Sequence, residues 1–124
     1  MEVILLDSNI LIDILKGKKD TINKTQGFTL PLMISSITVM ELMIGARNKQ
    51  EITKLEKFIE LFEIIHIDTN ISNLAIQLIV KYAKSHTLDI PDSLIAATAL
   101  VNRAQLFTYN KKDFQFIPKL DLMT

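Results

Sequence analysis

Short apolar runs, each closed by polar residues, alternate with segments of helical spacing along this chain. The first run covers Val3 to Leu6. It is too short for a helix, and its unbroken apolar character predicts a strand that is buried on both faces. Strands buried in this way belong to parallel sheets whose crossovers are helices. The pattern therefore predicts an α/β fold of three layers, α/β/α, with a mostly parallel central sheet of four to five strands.

The rest of the chain follows the same alternation. Further strands are predicted at 32–36, 64–67 and 106–109, with a fifth candidate at 120–123. Helices are predicted at 10–16, 38–47, 50–63, 71–83 and 93–103, and the polar segment 18–26 is predicted to be a short helix or a loop. Because no repeat or composition break interrupts this order, we expect a single domain over residues 1–124.

Composition narrows the possible functions. The 14 basic and 14 acidic residues balance, which argues against a domain that grips nucleic acid mainly through bulk positive potential. Cysteine is absent, so disulfides, thiolate metal sites and cysteine nucleophiles are excluded and any metal must be bound by oxygen or histidine. The apolar runs are short and the N-terminal residues lack the features of a secretory signal, so we expect a cytoplasmic protein with no membrane partner.

Four carboxylates follow predicted strands or lie at the starts of predicted helices: Asp7, Glu41, Asp92 and Asp113. In parallel α/β sheets this edge forms the functional crevice. Taken singly, such acids are explained by capping, since Thr38 with Glu41 fits a capping box and Asp7 and Asp89 are suitable caps.

Together, however, four carboxylates at one edge repel one another unless protons or cations intervene. The hard cations Mg²⁺ and Mn²⁺ resolve this conflict, because they prefer carboxylate, water and phosphate oxygens. Two such ions about 4 Å apart are the known arrangement for displacement at phosphorus. The acids therefore predict a metal site suited to phosphodiester chemistry.

Four segments, LLDSNILID, SSITVMELMIGA, PDSLIAATAL and TYNKKDF, resemble the PIN domain, and specifically the toxin nucleases of VapBC toxin-antitoxin pairs. The resemblance covers the whole chain in order and length. It implies that the three principal catalytic and metal-binding acids are Asp7, Glu41 and Asp92, with Asp113 as the fourth. The positions expected to support them are Ser8, Thr38, Thr108 and Asn110.

The same resemblance implies a PIN-like fold and a metal-dependent endoribonuclease that uses Mg²⁺ or Mn²⁺. Members of the family act on single-stranded or looped RNA, often transfer RNA or ribosomal RNA. They usually form homodimers and are silenced by a small antitoxin of the VapB type. We therefore expect an RNA substrate, a cognate antitoxin and a homodimer.

Contacts to RNA are less clearly marked. When the four acids are set aside as matched to metal ions, 14 basic residues face 10 acidic ones (14 − 4), a surplus of +4. The candidates for phosphate contacts are Lys16, Lys18, Lys19, Lys111 and Lys112, although solvated surface lysines explain them equally well. The candidates for base stacking are Tyr109, Phe114 and Phe116.

Two alternatives remain. A phosphoacceptor receiver domain has a similar length and alternation and would use Asp7, Asp68 and a lysine near Lys111. It requires two adjacent acids after the first strand, whereas Ser8 follows Asp7, and it leaves the other site acids without a role. The second alternative is a PIN domain that binds RNA or a partner without cutting.

Overall fold

A sheet of five parallel strands forms the centre of the computed structural model, which describes residues 2–123; the two terminal residues of the predicted domain lie outside it. The strands are β1 (Ile4–Leu6), β2 (Leu32–Ser35), β3 (Glu63–Ile65), β4 (Gln105–Phe107) and β5 (Asp121–Leu122). Their order in the sheet is β3-β2-β1-β4-β5, and every neighbouring pair is parallel. The predicted α/β architecture is confirmed.

Within residues 2–123, six α-helices connect these strands, and their bounds are α1 (Ser8–Leu15), α2 (Lys19–Gln26), α3 (Ser36–Ile44), α4 (Lys49–Ile59), α5 (Thr69–His86) and α6 (Ile90–Val101). A turn of 3-10 helix covers Lys111–Asp113. The polar segment after α1 is thus a helix rather than a loop. None of the helices in residues 2–123 has an apolar stretch long enough to cross a bilayer.

Helix starts are set by capping side chains, and one predicted cap is wrong. Helix α3 begins at Ser36, and its cap is Ser35, whose hydroxyl accepts from the Ile37 N–H. The predicted capping box of Thr38 and Glu41 therefore does not form. Ser35 ends the strand directly, so the helix starts two residues before the apolar spacing predicts, and Thr38 lies inside it.

Strand β1 divides the core into two layers, because side chains of successive strand residues point to opposite faces. Leu5 packs with buried residues of α5 and α6 on one face. Ile4 and Leu6 pack with buried residues of α1, α3 and α4 on the other. All three are at most 2% exposed, as expected for a strand covered on both faces.

Starting from β1, the chain first adds strands on one side of the sheet and then adds strands on the other side. Strands β2 and β3 lie on one side of β1, and β4 and β5 lie on the other. In open parallel sheets the crevice beyond the carboxyl ends of the strands at such a change of side is the usual ligand site. Here that crevice lies where Asp7 follows β1 and Thr108 follows β4, and the Asp7 N–H donates to the Phe107 carbonyl across 3.0 Å.

Candidate active site

Asp7 is the buried centre of the crevice. It follows β1 directly and caps α1 by accepting from the Ser8 N–H at 2.8 Å through Oδ1. Its Oδ2 accepts from the Thr108 hydroxyl at 2.8 Å and from the Asn9 side-chain amide at 3.0 Å. With 5% of its surface exposed, Asp7 is a carboxylate that three donors hold in one orientation.

Asn9 is a residue of the site that the sequence analysis missed. Besides Asp7, its amide nitrogen contacts the Thr108 hydroxyl at 3.2 Å, and its Oδ1 accepts from the Tyr109 N–H at 3.0 Å. Asn9 thereby connects the first turn of α1 to the segment after β4. The signal was its spacing of two positions from Asp7 within LLDSNILID, but in the sequence it was indistinguishable from a turn residue.

The positions predicted to support the acids make different kinds of contact. Thr108 is 1% exposed, and its hydroxyl also accepts from the Asn110 N–H at 3.0 Å. Ser8 and Asn110 therefore act through their backbone amides in these contacts. Thr38 is fully buried, and its hydroxyl has no hydrogen-bond partner within residues 2–123.

Burial and mutual repulsion raise the pKa values of three of the acids. The pKa of Asp7 is raised, and burial is the largest cause. The hydrogen bonds from Thr108, Ser8 and Asn9 lower this pKa in part, and the charge of Asp113 raises it. The pKa of Glu41 is raised by burial and then by the charges of Asp7 and Asp89. Acids that are far apart in the sequence therefore affect one another's pKa values.

Asp92, in the first turn of α6, has the largest shift. Its pKa is raised to about 7 by burial and then by the negative charges of Asp89, Asp7, Asp113 and Glu41. The charges of the other three predicted acids therefore all act on Asp92. Asp113 ends the 3-10 helix and is exposed.

Asp89 is a fifth acid of this edge. From the sequence, Asp89 is predicted only as the cap of α6, and that prediction is confirmed: its Oδ1 accepts from the Asp92 N–H at 2.9 Å. Its charge also raises the pKa values of Asp92 and Glu41. This second effect could not be recognised from the sequence, because an acid at a helix cap is expected in any protein.

The arrangement is suited to a hard cation. Among residues 2–123, no Lys or Arg forms an ion pair with any of these acids, and no three of the carboxylates converge to enclose an ion. A divalent cation such as Mg²⁺ usually contacts one or two protein carboxylates and keeps several waters. The all-oxygen donors, their uncompensated repulsion and the orphaned Thr38 hydroxyl three residues before Glu41 fit such a hydrated ion.

The lysines predicted to contact RNA are all exposed and lie in three places. Lys16 lines an apolar groove beside α1. Lys18 and Lys19 line a separate cavity that Tyr109 closes on one side. Lys111 and Lys112 precede Asp113 in the 3-10 helix.

Comparison with known proteins gives one consistent result. The family model of the PIN domain matches residues 4–120. Ribonuclease VapC1 of Methanocaldococcus jannaschii is 32% identical over 127 residues, covering 96% of this chain and 84% of that protein. The tRNA(fMet)-specific endonuclease VapC of Salmonella typhimurium is 31% identical, covering 92% of this chain and 91% of that protein.

Solved structures agree. VapBC of Salmonella typhimurium bound to DNA contains a chain with a TM-score of 0.85 and 28% identity, covering 99% of this chain and 98% of that one. VapBC2 of Rickettsia felis, bound to a promoter fragment, contains a chain with a TM-score of 0.84 and 30% identity, covering 99% of this chain and 98% of that one.

The receiver-domain alternative has no comparable support. Asp68, which it would use as the phosphoacceptor, caps α5 by accepting from the Ile71 N–H. The charges of Asp7, Glu41 and Asp92 instead affect one another's pKa values, and these residues are in the segments that carry the family resemblance. The chain belongs to the PIN-domain family, in the group of VapC proteins.

Proposed function

We propose that this protein is an endoribonuclease toxin of a VapBC-type pair, which hydrolyses RNA phosphodiester bonds with the help of Mg²⁺ or Mn²⁺. The observation that carries the proposal is the buried carboxylate of Asp7, held by three donors and near the charges of other acids, none of which is ion-paired with a Lys or Arg among residues 2–123. Such an arrangement costs stability in the free protein. It is explained by a ligand of opposite charge.

In this proposal Asp7, Glu41, Asp92 and Asp113 hold the cations. When bound, the metal supplies an activated water for attack on phosphorus and stabilises charge on the leaving oxygen. Asp7 is the fixed ligand because its donors set its orientation. Ser8, Thr108 and Asn110 support Asp7 and the segment beside it, and Thr38, whose hydroxyl has no hydrogen-bond partner among residues 2–123, is the proposed supporting residue three positions before Glu41.

The substrate is proposed to be structured RNA with an exposed single-stranded region, such as a transfer RNA or ribosomal RNA loop. One relative is named as a tRNA(fMet)-specific endonuclease, which supports transfer RNA. Lys16, Lys18, Lys19, Lys111 and Lys112 are the proposed phosphate contacts, because lysines neutralise the RNA backbone without reading sequence.

A VapB-type antitoxin is the proposed partner. Two solved structures with the same fold are VapBC complexes. An apolar groove with a volume of about 540 Å³ runs between α1, α3 and α4; its charged lining residues are Lys16, Lys54 and the ion pair of Arg47 with Glu51. The groove suits an apolar segment with acidic neighbours. Ile76 and Val80, one turn apart on α5, are 57% and 81% exposed and support the proposed homodimer.

Nuclease assays on the antitoxin-free protein test the function. We expect RNA cleavage with Mg²⁺ or Mn²⁺ and none with EDTA. Asp7→Asn and Asp92→Asn should abolish turnover and leave the fold intact, because asparagine also caps helices but is a poorer ligand for a hard cation. Asp121→Asn is the matched control, since this exposed acid pairs with Gln105 at the opposite end of the sheet.

Three results would contradict the proposal in different ways. Cleavage that persists in both site variants would refute the assigned acids. Cleavage that persists in EDTA would refute the metal requirement. RNA binding without cleavage by the metal-loaded wild-type protein would favour the non-cutting PIN domain.

A further inference from the structure

A second cavity lies beside the acidic site. Its volume is about 460 Å³, within the usual range for small-ligand pockets. It lies between the turn that joins α1 to α2 and Tyr109, the residue that follows Thr108. The lining residues are Asp13, Lys18, Lys19, Asp20, Thr21 and Tyr109.

Tyr109 presents a fixed aromatic ring to this cavity. Its hydroxyl lies 2.6 Å from the hydroxyl of Thr21, which is 3% exposed and donates to Asp13 at 3.2 Å. Its ring packs edge-on against Phe107 at 5.5 Å. Tyr109 nevertheless remains 45% exposed. A ring that is already immobilised loses little further entropy when a flat ligand stacks on it.

The cavity is connected to the acidic site through Asn9. The Tyr109 N–H donates to Asn9 Oδ1, and the Asn9 amide donates to Asp7. Asn9 and Asp13 are four residues apart on α1, which is a rise of about 6 Å along the helix axis. The aromatic wall thus adjoins the residues that orient Asp7.

Charge alone does not explain what binds in the cavity. Lys18 lies 3.5 Å from Asp13, and Asp20 offsets the exposed Lys19. A pocket with two cations and two anions has no strong preference for a bare phosphate. An aromatic face with lysines at the rim is instead typical of surfaces that stack a base and contact the adjoining backbone.

The other aromatic candidates are less available. Phe114 is fully buried. Phe116 is half-buried and stacks against His86, with ring centroids 4.3 Å apart. Of the three rings that the sequence suggested for base stacking, that of Tyr109 belongs to the most exposed residue.

We propose that a nucleobase of the RNA substrate, next to the cleaved phosphodiester, stacks on Tyr109 in this cavity. Lys18 and Lys19 contact the phosphate that joins this nucleotide to its neighbour. The site takes single-stranded RNA, because a base paired in a duplex cannot present its face to the ring. The inference rests on the proposed ribonuclease function and adds the location of a substrate base to it.

Two substitutions of Tyr109 separate stacking from a structural role. Tyr109→Leu keeps apolar contact with Phe107 but removes the aromatic face, so KM for a short single-stranded RNA should rise about tenfold with little change in kcat. Tyr109→Phe keeps the face and loses only the bond to Thr21, so its KM should stay within about twofold of the wild-type value. Thermal unfolding of both variants reports on folding.

A parallel pair tests the lysines. Lys19→Gln should weaken RNA binding and reduce its dependence on salt, whereas Lys57→Gln, an exposed lysine on α4, should do neither. An equal effect of the two lysine substitutions would refute the phosphate contact. Equal KM values for Tyr109→Leu and the wild type, or equal increases in both tyrosine variants, would refute stacking.

Binding measured without cleavage keeps this inference separate from the proposed function. Fluorescence anisotropy of a labelled single-stranded RNA is recorded with Asp92→Asn, alone and combined with Tyr109→Leu. An increase in Kd of about tenfold in the combined variant supports stacking, even where the wild-type protein cuts no RNA. Equal Kd values overturn it, even where the wild-type protein is an active nuclease.

Discussion

The Thr108 hydroxyl donates a hydrogen bond of 2.8 Å to the carboxylate of Asp7, although the two residues are 101 positions apart in the sequence. The bond joins the carboxyl ends of β1 and β4, which are neighbours in the sheet. It also lowers the pKa of Asp7 against the effect of burial. Parallel pairing of two strands therefore places one of the donors that orient this carboxylate and favour its ionised form.

Replacing Thr108 with valine tests this relationship. Thr108→Val keeps the shape and removes the donor, so we expect the pKa of Asp7 to rise and unfolding to become easier by about 2 kcal/mol, the usual value of a hydrogen bond to a charged group. RNA cleavage should fall by about 10- to 100-fold, as for other partners that orient metal ligands. Denaturant unfolding and kcat measure the two effects.

Thr108→Ser is the control for that substitution. Serine keeps the hydroxyl, so this variant should retain most of the activity and stability. Valine and serine variants with the same activity would show that the hydrogen bond to Asp7 does not matter for the site.

Asn9 allows an independent test of how Asp7 is held. Asn9→Ala removes contacts to Asp7, Thr108 and the Tyr109 backbone. We expect about a 10- to 100-fold loss of cleavage and a higher metal concentration for half-maximal activity. Asn23→Ala, at an exposed position of α2, should leave both unchanged. A wild-type metal dependence in Asn9→Ala would contradict the role given to this side chain.

Much of the fold was predictable because hydrophobic spacing is a local property. The unbroken run at Val3–Leu6 predicted a strand buried on both faces, and β1 is fully buried at the centre of the sheet. The start of α3 was predicted wrongly, because either Ser35 or Thr38 is a suitable cap and the sequence does not show which one ends the strand.

The site was predictable only in part. Acids at strand ends could be recognised because parallel strands bring their carboxyl ends to one edge, and the resemblance selected the four acids. The contacts of Asn9 with residues near position 108 depend on tertiary structure. The second effect of Asp89 depends on the charges of distant acids. Local patterns contain neither kind of information.

The raised pKa of Asp92 predicts how stability changes with pH. The value of about 7 in the folded protein exceeds the ordinary value of 3.8, so the folded state binds this proton more tightly than the unfolded chain. The resulting stability is complete below pH 3.8 and is lost as the pH rises through about 7. Metal-free protein should therefore melt at lower temperature at pH 8 than at pH 5.

Asp92→Asn removes the titrating group and serves as the comparison. Its melting temperature should depend less on pH, and at pH 8 it should exceed that of the wild type by about 4 °C for each kcal/mol of repulsion removed. Thermal melts in EDTA across this range provide the measurement. A pH dependence as steep as that of the wild type would place the responsible group elsewhere.

Asp89 provides a way to change the site charge without changing a proposed catalytic acid. Asp89→Asn retains the cap of α6 and removes one of the charges that raise the pKa of Asp92. The pKa of Asp92 should fall, so the loss of stability moves to lower pH. Asp89→Ala removes the cap as well and should cost about 1 kcal/mol more. NMR titration of the Asp92 carboxyl measures the shift directly, and an unchanged pKa in Asp89→Asn would show that the charge of Asp89 does not reach Asp92.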